Sequence, residues 1–213
     1  WQSTKGDLDI LRKEKRAFFI EWRVADRIKK TVFPVMDYYL DGNQESHLKM
    51  VSKEDYFKAL EESTNKPFSM VPFFDPGVWG GQWMKDVCDL DKSKDNYAWS
   101  FNGVVEENAM HFAYGDDVIE SPAINMVFFK PVALLGDKVH ARFGTEFPIR
   151  FDFLDTMEGG NLSLQVHPLT EYIQQTFGMA YTQDESYYIL DSNNGGVYIG
   201  LKEGINQDDM MRD

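Results

Sequence analysis

The sequence predicts a mainly-β fold, a sandwich or barrel with short helices, preceded by an α/β segment at the N-terminus. From about residue 72 onward, short strand-like segments follow one another, and clusters of Gly, Pro, Asn and Asp separate them. Aromatic residues make up 15% of the 213 residues, a share that favours strands over a plain helical bundle.

Residues 1–70 form the predicted α/β leader, or a segment between two domains. Much of the positive charge lies in residues 1–30, which is typical of a solvated helix face. An anion-binding or domain-docking segment is the alternative interpretation of that charge. Ser52 and Asp55 resemble a capping box, with Asp in place of the usual Glu or Gln, and predict a helix that runs to about Thr64.

Residues 71–213 form the predicted β domain. The predicted strands of the whole chain, including two in the leader, cover 17–22, 35–40, 97–101, 124–129, 139–143, 149–154, 162–166, 186–190 and 197–201. Predicted helices cover 78–90 and 170–177, and Gly178 ends the second of them. Residues 204–209 have the pattern of another helix start, but only a few residues follow them in the sequence. We therefore expect this domain to be incomplete at its C-terminus.

Charge and cysteine content exclude several classes of protein. Lys and Arg total 22 against 35 Asp and Glu, a formal charge of −13, which excludes a nucleic-acid binder that depends on basic patches. No apolar run reaches the roughly 18 residues of a membrane span. Cys88 is the single cysteine, so an internal disulfide or a Cys-rich zinc finger is excluded. With no secretory signal visible, we predict a cytoplasmic protein without membrane partners.

The most informative stretch for chemistry is Leu162–Pro168. In a strand, alternate side chains share a face, so Ser163, Gln165 and His167 would point to one side. Glu185 follows 18 residues after His167. Imidazole, carboxylate and amide oxygen together suit Zn²⁺, and also Mn²⁺ or Fe²⁺. By spacing alone, a histidine that is hydrogen-bonded on a polar strand face remains the structural alternative.

A series of motifs occurs in order over about the last two thirds of the chain. They are Val78-Trp79-Gly80-Gly81, Tyr97-Ala98-Trp99-Ser100, Leu154-Asp155, Leu162–Pro168, Glu171-Tyr172, Asp184-Glu185, Tyr188–Leu190 and Val197–Ile205. Together they resemble the core of the type I mannose-6-phosphate isomerases, which are zinc-dependent cupins. The resemblance implies a cupin-type jelly-roll or β-sandwich for residues 71–213.

The resemblance also implies an activity and a site. The reaction is the interconversion of mannose 6-phosphate and fructose 6-phosphate, in which a proton moves between C1 and C2. Gln165, His167 and Glu185 would be ligands of one Zn²⁺, and Ser163 would line the substrate pocket. A base would move the proton, but the resemblance assigns that role to no residue here. The family's fourth ligand is a later histidine without a match in this chain, so we expect weak metal binding and little or no activity from these residues alone.

Two lysines of the family are replaced here, by Asp152 and Gln183. Arg150 lies two residues from Asp152, hence on the same face of a predicted strand, and we expect it to supply part of the lost positive charge for a phosphosugar. The loss of both lysines supports an alternative function, that of a non-catalytic cupin module that binds a sugar or a sugar phosphate. A neighbouring domain of a longer chain is a further expected partner.

Overall fold

The computed structural model describes residues 22–44, 46–101 and 103–210. Of these, 31% are helical and 15% lie in strands. Within the described ranges the strands form three small antiparallel sheets, of two, three and two strands. The prediction of a mainly-β, cupin-type jelly-roll is therefore wrong, because no pair of large facing sheets is formed by the described residues.

Short helices and short strands are interspersed along the chain without a regular order. The described helices are α1 (Trp22–Val32), α2 (Lys53–Ser63), α3 (Trp83–Val87), α4 (Ile124–Phe129), α5 (Pro131–Leu135), α6 (Asp137–Phe143), α7 (Thr170–Phe177) and α8 (Gln207–Met210), with a 3₁₀ turn at Phe33–Val35. The strands are β1 (Tyr38–Asp41), β2 (Lys49–Ser52), β3 (Phe74–Asp75), β4 (Trp99–Ser100), β5 (Ala109–Tyr114), β6 (Asp117–Pro122) and β7 (Phe153–Leu154). β1 pairs with β2, β5 with β6, and β4 lies between β3 and β7. In the described part of the chain, every helix is too short or too polar to cross a membrane.

Two predicted helices are confirmed, and both carry clear local signals. Helix α2 starts after Ser52, whose Oγ accepts a hydrogen bond of 3.1 Å from the N–H of Asp55. Helix α7 covers Thr170–Phe177 as predicted. Gly178 ends it with φ 67°, in the left-handed region that glycine adopts without a steric penalty.

The segments 124–129 and 139–143 were expected to be strands, and this prediction is wrong because both are helical. Residues 124–127 are buried, and a short apolar run cannot be distinguished from a buried helix by periodicity alone. The second segment belongs to α6, which Gly136 and Gly144 bound with positive φ angles of 78° and 64°.

Other predicted strands are shortened or missing. Strands remain at 38–41, 99–100 and 153–154, inside or beside the predicted segments. The segments 162–166, 186–190 and 197–201 form no ladder with any described residue, and their apolar side chains face solvent, with Ile199 91% exposed. The predicted strand at 17–22 lies outside the described residues except for Trp22, which begins α1.

The main core joins the leader to the β5–β6 hairpin. Tyr56 and Leu60 of α2 are fully buried. They pack with the other buried members of this cluster, Val51, Met110, Phe112, Ile119, Ala123 and Met126. Tyr39 stacks on Tyr56 with ring centroids 4.2 Å apart. Burial of each large apolar side chain stabilises the fold by about 1.5–3 kcal/mol, so residues on both sides of position 70 depend on one core. The division into 1–70 and 71–213 stays a prediction.

Asp155 ties three separate segments together next to β7. Its side chain is buried, with 2% exposure. Its Oδ2 accepts a hydrogen bond of 2.8 Å from the N–H of Met84, and its Oδ1 accepts one of 2.9 Å from the N–H of Met157. The N–H of Gly81 donates to the Asp155 carbonyl at 2.8 Å. Asp155 thus caps the first turn of α3 from a distant point in the chain.

Candidate functional site

His167 and Glu185 meet although they come from different loops. Nε2 of His167 lies 2.6 Å from Oε2 of Glu185. His167 precedes α7 and Glu185 follows it. The helix and Gly178 at its end reverse the direction of the chain, and this brings the two loops together. The hydroxyl of Thr182 donates to the carbonyl of Pro168 at 2.6 Å and joins the same two loops. Two of the three predicted metal ligands are therefore brought together.

The second carboxylate oxygen of Glu185 is held by a tyrosine. The hydroxyl of Tyr187 donates to Oε1 at 2.6 Å. This bond lowers the pKa of Glu185; desolvation opposes the shift and His167 adds to it. The same bond, with desolvation second, raises the pKa of Tyr187 to about 12. Tyr187 was not predicted as a site residue; its spacing of two from Glu185, which puts both on one face of an extended chain, was the available signal.

Asp152 adds a further negative charge beside the pair. Desolvation, and after it the charge of Glu185, raise the pKa of the Asp152 carboxyl. The resemblance places a lysine at this position, so the local field has the opposite sign from the one it implies. Two neighbouring carboxylates attract a cation and repel a phosphate group.

The His167–Glu185 pair has the chemistry of two zinc ligands. Imidazole nitrogen and carboxylate oxygen both bind zinc, and two such atoms on one tetrahedral ion lie about 3.4 Å apart. The observed 2.6 Å is shorter, so the two side chains must open by about 0.8 Å to hold the ion. Among the described residues, no three His, Cys, Asp or Glu side chains surround one metal position. The pair therefore has the atom types of two zinc ligands, but not the spacing of two atoms on one ion.

The remaining predicted site residues do not join this cluster. Gln165, Ser163 and Arg150 are exposed. No hydrogen bond or ion pair between described residues connects them with His167 or Glu185. Their predicted roles as metal ligand, pocket residue and phosphosugar-binding residue stay predictions.

Comparison with known proteins gives one match. Residues 1–65 match a family model described as a domain of unknown function, DUF8485. Within the described residues the match covers α1, the 3₁₀ turn, β1, β2 and α2, and it contains none of the predicted site residues. No curated protein and no solved structure matches the chain.

Two cavities lie away from the His167–Glu185 pair. The first, of about 470 Å³, is lined by Pro72, Phe73, Phe74, Pro76, Leu90, Lys94 and Tyr97. The second, of about 310 Å³, lies between the β1–β2 hairpin of the DUF8485 region and the β5–β6 hairpin, and is lined by Asp41, Asn43, Gln44, His47, Lys49, His111, Val118 and Glu120. Neither cavity is lined by a predicted site residue. The pair itself lies near the surface, with 34% and 25% of its two side chains exposed.

Glu120 connects the two hairpins at the wall of the second cavity. Its Oε1 accepts a hydrogen bond of 2.9 Å from Nδ2 of Asn43, and its Oε2 lies 3.2 Å from Nε2 of His111. Its N–H donates to Oδ2 of Asp41 at 2.7 Å. Oδ1 of Asp41 accepts from the N–H of Asn43 at 3.0 Å. Asp41 is therefore a buried carboxylate with a hydrogen bond to each oxygen.

Asp41→Asn is expected to lower the free energy of unfolding by about 1–3 kcal/mol at pH 7, because an amide offers one acceptor oxygen where two N–H donors need one each. Desolvation opposes ionisation of Asp41, but hydrogen bonds from the N–H groups of Glu120 and Asn43 outweigh it and hold its pKa below the usual value. The stabilisation is thus present above the unfolded pKa of about 3.9 and is lost as pH falls through the folded pKa.

Urea unfolding of the wild type and Asp41→Asn at pH 7, 5 and 3 measures this effect, with the exposed Asp116→Asn as the matched control. The difference between wild type and Asp41→Asn should be equal at pH 7 and 5 and smaller at pH 3. A difference that grows on acidification would contradict the assigned direction of the pKa shift.

Proposed function

We propose that this chain supplies metal-binding residues to a metal-dependent aldose–ketose isomerase that acts on a sugar phosphate. Mannose 6-phosphate and fructose 6-phosphate are the first substrate pair to test, since the sequence motifs resemble enzymes of that activity. The observation that supports the proposal most is the approach of His167 Nε2 to Glu185 Oε2. These are two of the residues that the resemblance assigns to one metal. The proposal does not include the jelly-roll fold.

The chain's own groups would prepare the site for a cation. The carboxylate of Glu185 is ionised at neutral pH, as that of an ordinary Glu is, and its hydrogen bonds lower the pKa further. Because His167 Nε2 lies 2.6 Å from this carboxylate, Nε2 carries the hydrogen of that contact, and this hydrogen has to move to Nδ1 or leave when a metal binds. The nearby Asp152 strengthens the negative field at the same place. When bound, Zn²⁺ would supply Lewis-acid polarisation of the sugar oxygens. Arg150, which is exposed, is the group proposed to bind the phosphate of the sugar.

The metal site is tested by the loss of zinc affinity on removal of one ligand. Zn²⁺ binding is measured by competition with a chromogenic chelator for the wild type, His167→Ala and Glu185→Gln. We expect weak binding of about one equivalent by the wild type and at least a tenfold loss in each variant, because each removes one of few ligands. His140→Ala, which removes a half-buried imidazole from α6, is the control and should bind as the wild type does. Equal affinities in all four proteins would contradict the proposed site.

A non-catalytic module that binds a sugar phosphate is the second candidate. It is favoured because no three His, Cys, Asp or Glu side chains of the described residues, even with Asp152 near the pair, form a group that could hold a metal ion. Equilibrium dialysis with mannose 6-phosphate, with and without a chelator, and a coupled isomerase assay distinguish the two. Chelator-sensitive turnover supports the isomerase. Binding that persists in chelator without any turnover supports the module.

A further inference from the structure

The two carboxylate oxygens of Glu185 have different partners, and one of these partners lies outside the predicted ligand set. Its Oε1 accepts the hydroxyl of Tyr187 at 2.6 Å, and its Oε2 faces Nε2 of His167 at 2.6 Å. A carboxylate rotates easily about its last torsion, since that torsion has broad, two-fold preferences. The hydrogen bond from Tyr187 therefore fixes the orientation of the carboxylate, with one oxygen on the phenol and the other facing His167.

We propose that Tyr187 is a positioning residue that holds the Glu185 carboxylate in the orientation in which it would bind a metal together with His167; this rests on the proposed metal site. Partners that hold a ligand by hydrogen bonds commonly change metal affinity by 10–100-fold when they are removed. The phenol suits this role because it donates a single proton and lies two residues from Glu185, on the same side of an extended segment.

The chain contains a matched control for this proposal in the next residue. Tyr188 is 88% exposed, against 49% for Tyr187, and its hydroxyl has no hydrogen-bond partner among the described residues. Tyr187→Phe and Tyr188→Phe each remove one oxygen atom from neighbouring positions, and neither opens a cavity in the core. The main difference between the two variants is therefore the loss of the bond to Glu185 in Tyr187→Phe.

The experiment measures Zn²⁺ affinity by chelator competition for the wild type, Tyr187→Phe and Tyr188→Phe, after circular dichroism shows that all three are folded. We expect a 10–100-fold weaker affinity for Tyr187→Phe and no change for Tyr188→Phe. In a Glu185→Gln background, Tyr187→Phe should cause no further loss. With Co²⁺ in place of Zn²⁺, the visible d–d bands of Tyr187→Phe should shift, because the Glu185 carboxylate is then free to change its orientation.

The outcomes separate this inference from the proposed function. A wild type whose zinc affinity falls in His167→Ala, together with an unchanged affinity and Co²⁺ spectrum in Tyr187→Phe, would overturn the role of Tyr187 and leave the metal site standing. A wild type that binds no Zn²⁺ would overturn both. A loss in Tyr187→Phe that is equally large in the Glu185→Gln background would also overturn the role, because the effect would not pass through the carboxylate.

Discussion

Gly159→Ala is expected to lower the free energy of unfolding by about 3 kcal/mol, whereas Gly160→Ala should leave it nearly unchanged. A Cβ on Gly159 would lie 2.5 Å from the carbonyl oxygen of Gly80 and closer still to that of Trp79. Both are backbone atoms, so no side-chain rotation relieves the overlap. At Gly160 the nearest atom would be Cα of Trp79 at 3.4 Å, an ordinary contact.

Thermal and urea unfolding of the two variants test this comparison. A Gly→Ala change restricts the unfolded chain. At Gly160 the added methyl group fits, so this restriction should raise the free energy of unfolding slightly, by about 0.4–1 kcal/mol. Gly159→Ala receives the same gain, but the overlap with the Trp79–Gly80 backbone outweighs it. Similar unfolding midpoints for the two variants would show that residues 158–160 do not pack against that backbone as described.

Asp155→Ala is the second change with a large expected effect, a loss of about 2–5 kcal/mol. The substitution leaves two N–H groups without their acceptor, that of Met84 at a buried position and that of Met157 at a half-buried one. Each unsatisfied buried donor costs about 1–3 kcal/mol. Asp155→Asn keeps one acceptor oxygen and should therefore lose less than Asp155→Ala does.

Urea unfolding at pH 7 gives the order of stability for this series. We expect wild type and Asp116→Ala to be alike within about 0.5 kcal/mol, since Asp116 is exposed in a turn. The free energy of unfolding of Asp155→Asn should be lower than that of these two proteins and higher than that of Asp155→Ala. Hydrogen exchange at the amide of Met84 should also accelerate in Asp155→Ala. An Asp155→Ala protein as stable as the Asp116→Ala control would disprove the capping role.

The sequence predicts those elements whose signals are local. Helix α2 has its N-cap at Ser52, and α7 has its stop at Gly178, so both boundaries are set within a few residues. Segment 124–129 has the composition of a strand, but its helical state depends on burial against distant parts of the chain. The β5–β6 hairpin, which carries Met110, Phe112 and Ile119 into the core, was not predicted at all. Tertiary packing decides such elements, and propensity alone does not.

In the candidate site, too, some features had a signal in the sequence and others depend on contacts between distant parts of the chain. Residue types and spacing gave only a weak signal for His167 and Glu185; the resemblance assigned both to one metal, and the two side chains do meet. The same reasoning treated 162–166 as a strand with Gln165 beside His167, but this segment has no partner strand among the described residues, and Gln165 stays apart. The spacing of Tyr187 from Glu185 was a local signal for their contact, whereas the proximity of Asp152 to Glu185 depends on the path of the chain between them, which no local pattern encodes.

The shared core has a consequence for where this chain could be divided. The region that matches a family model ends at residue 65, just after α2. Yet Met110, Phe112, Ile119, Ala123 and Met126, which share one core with Tyr56 and Leu60, all lie beyond it. A polypeptide cut after residue 65 would lose these five side chains from its core, so the matched region and the unit that folds have different limits.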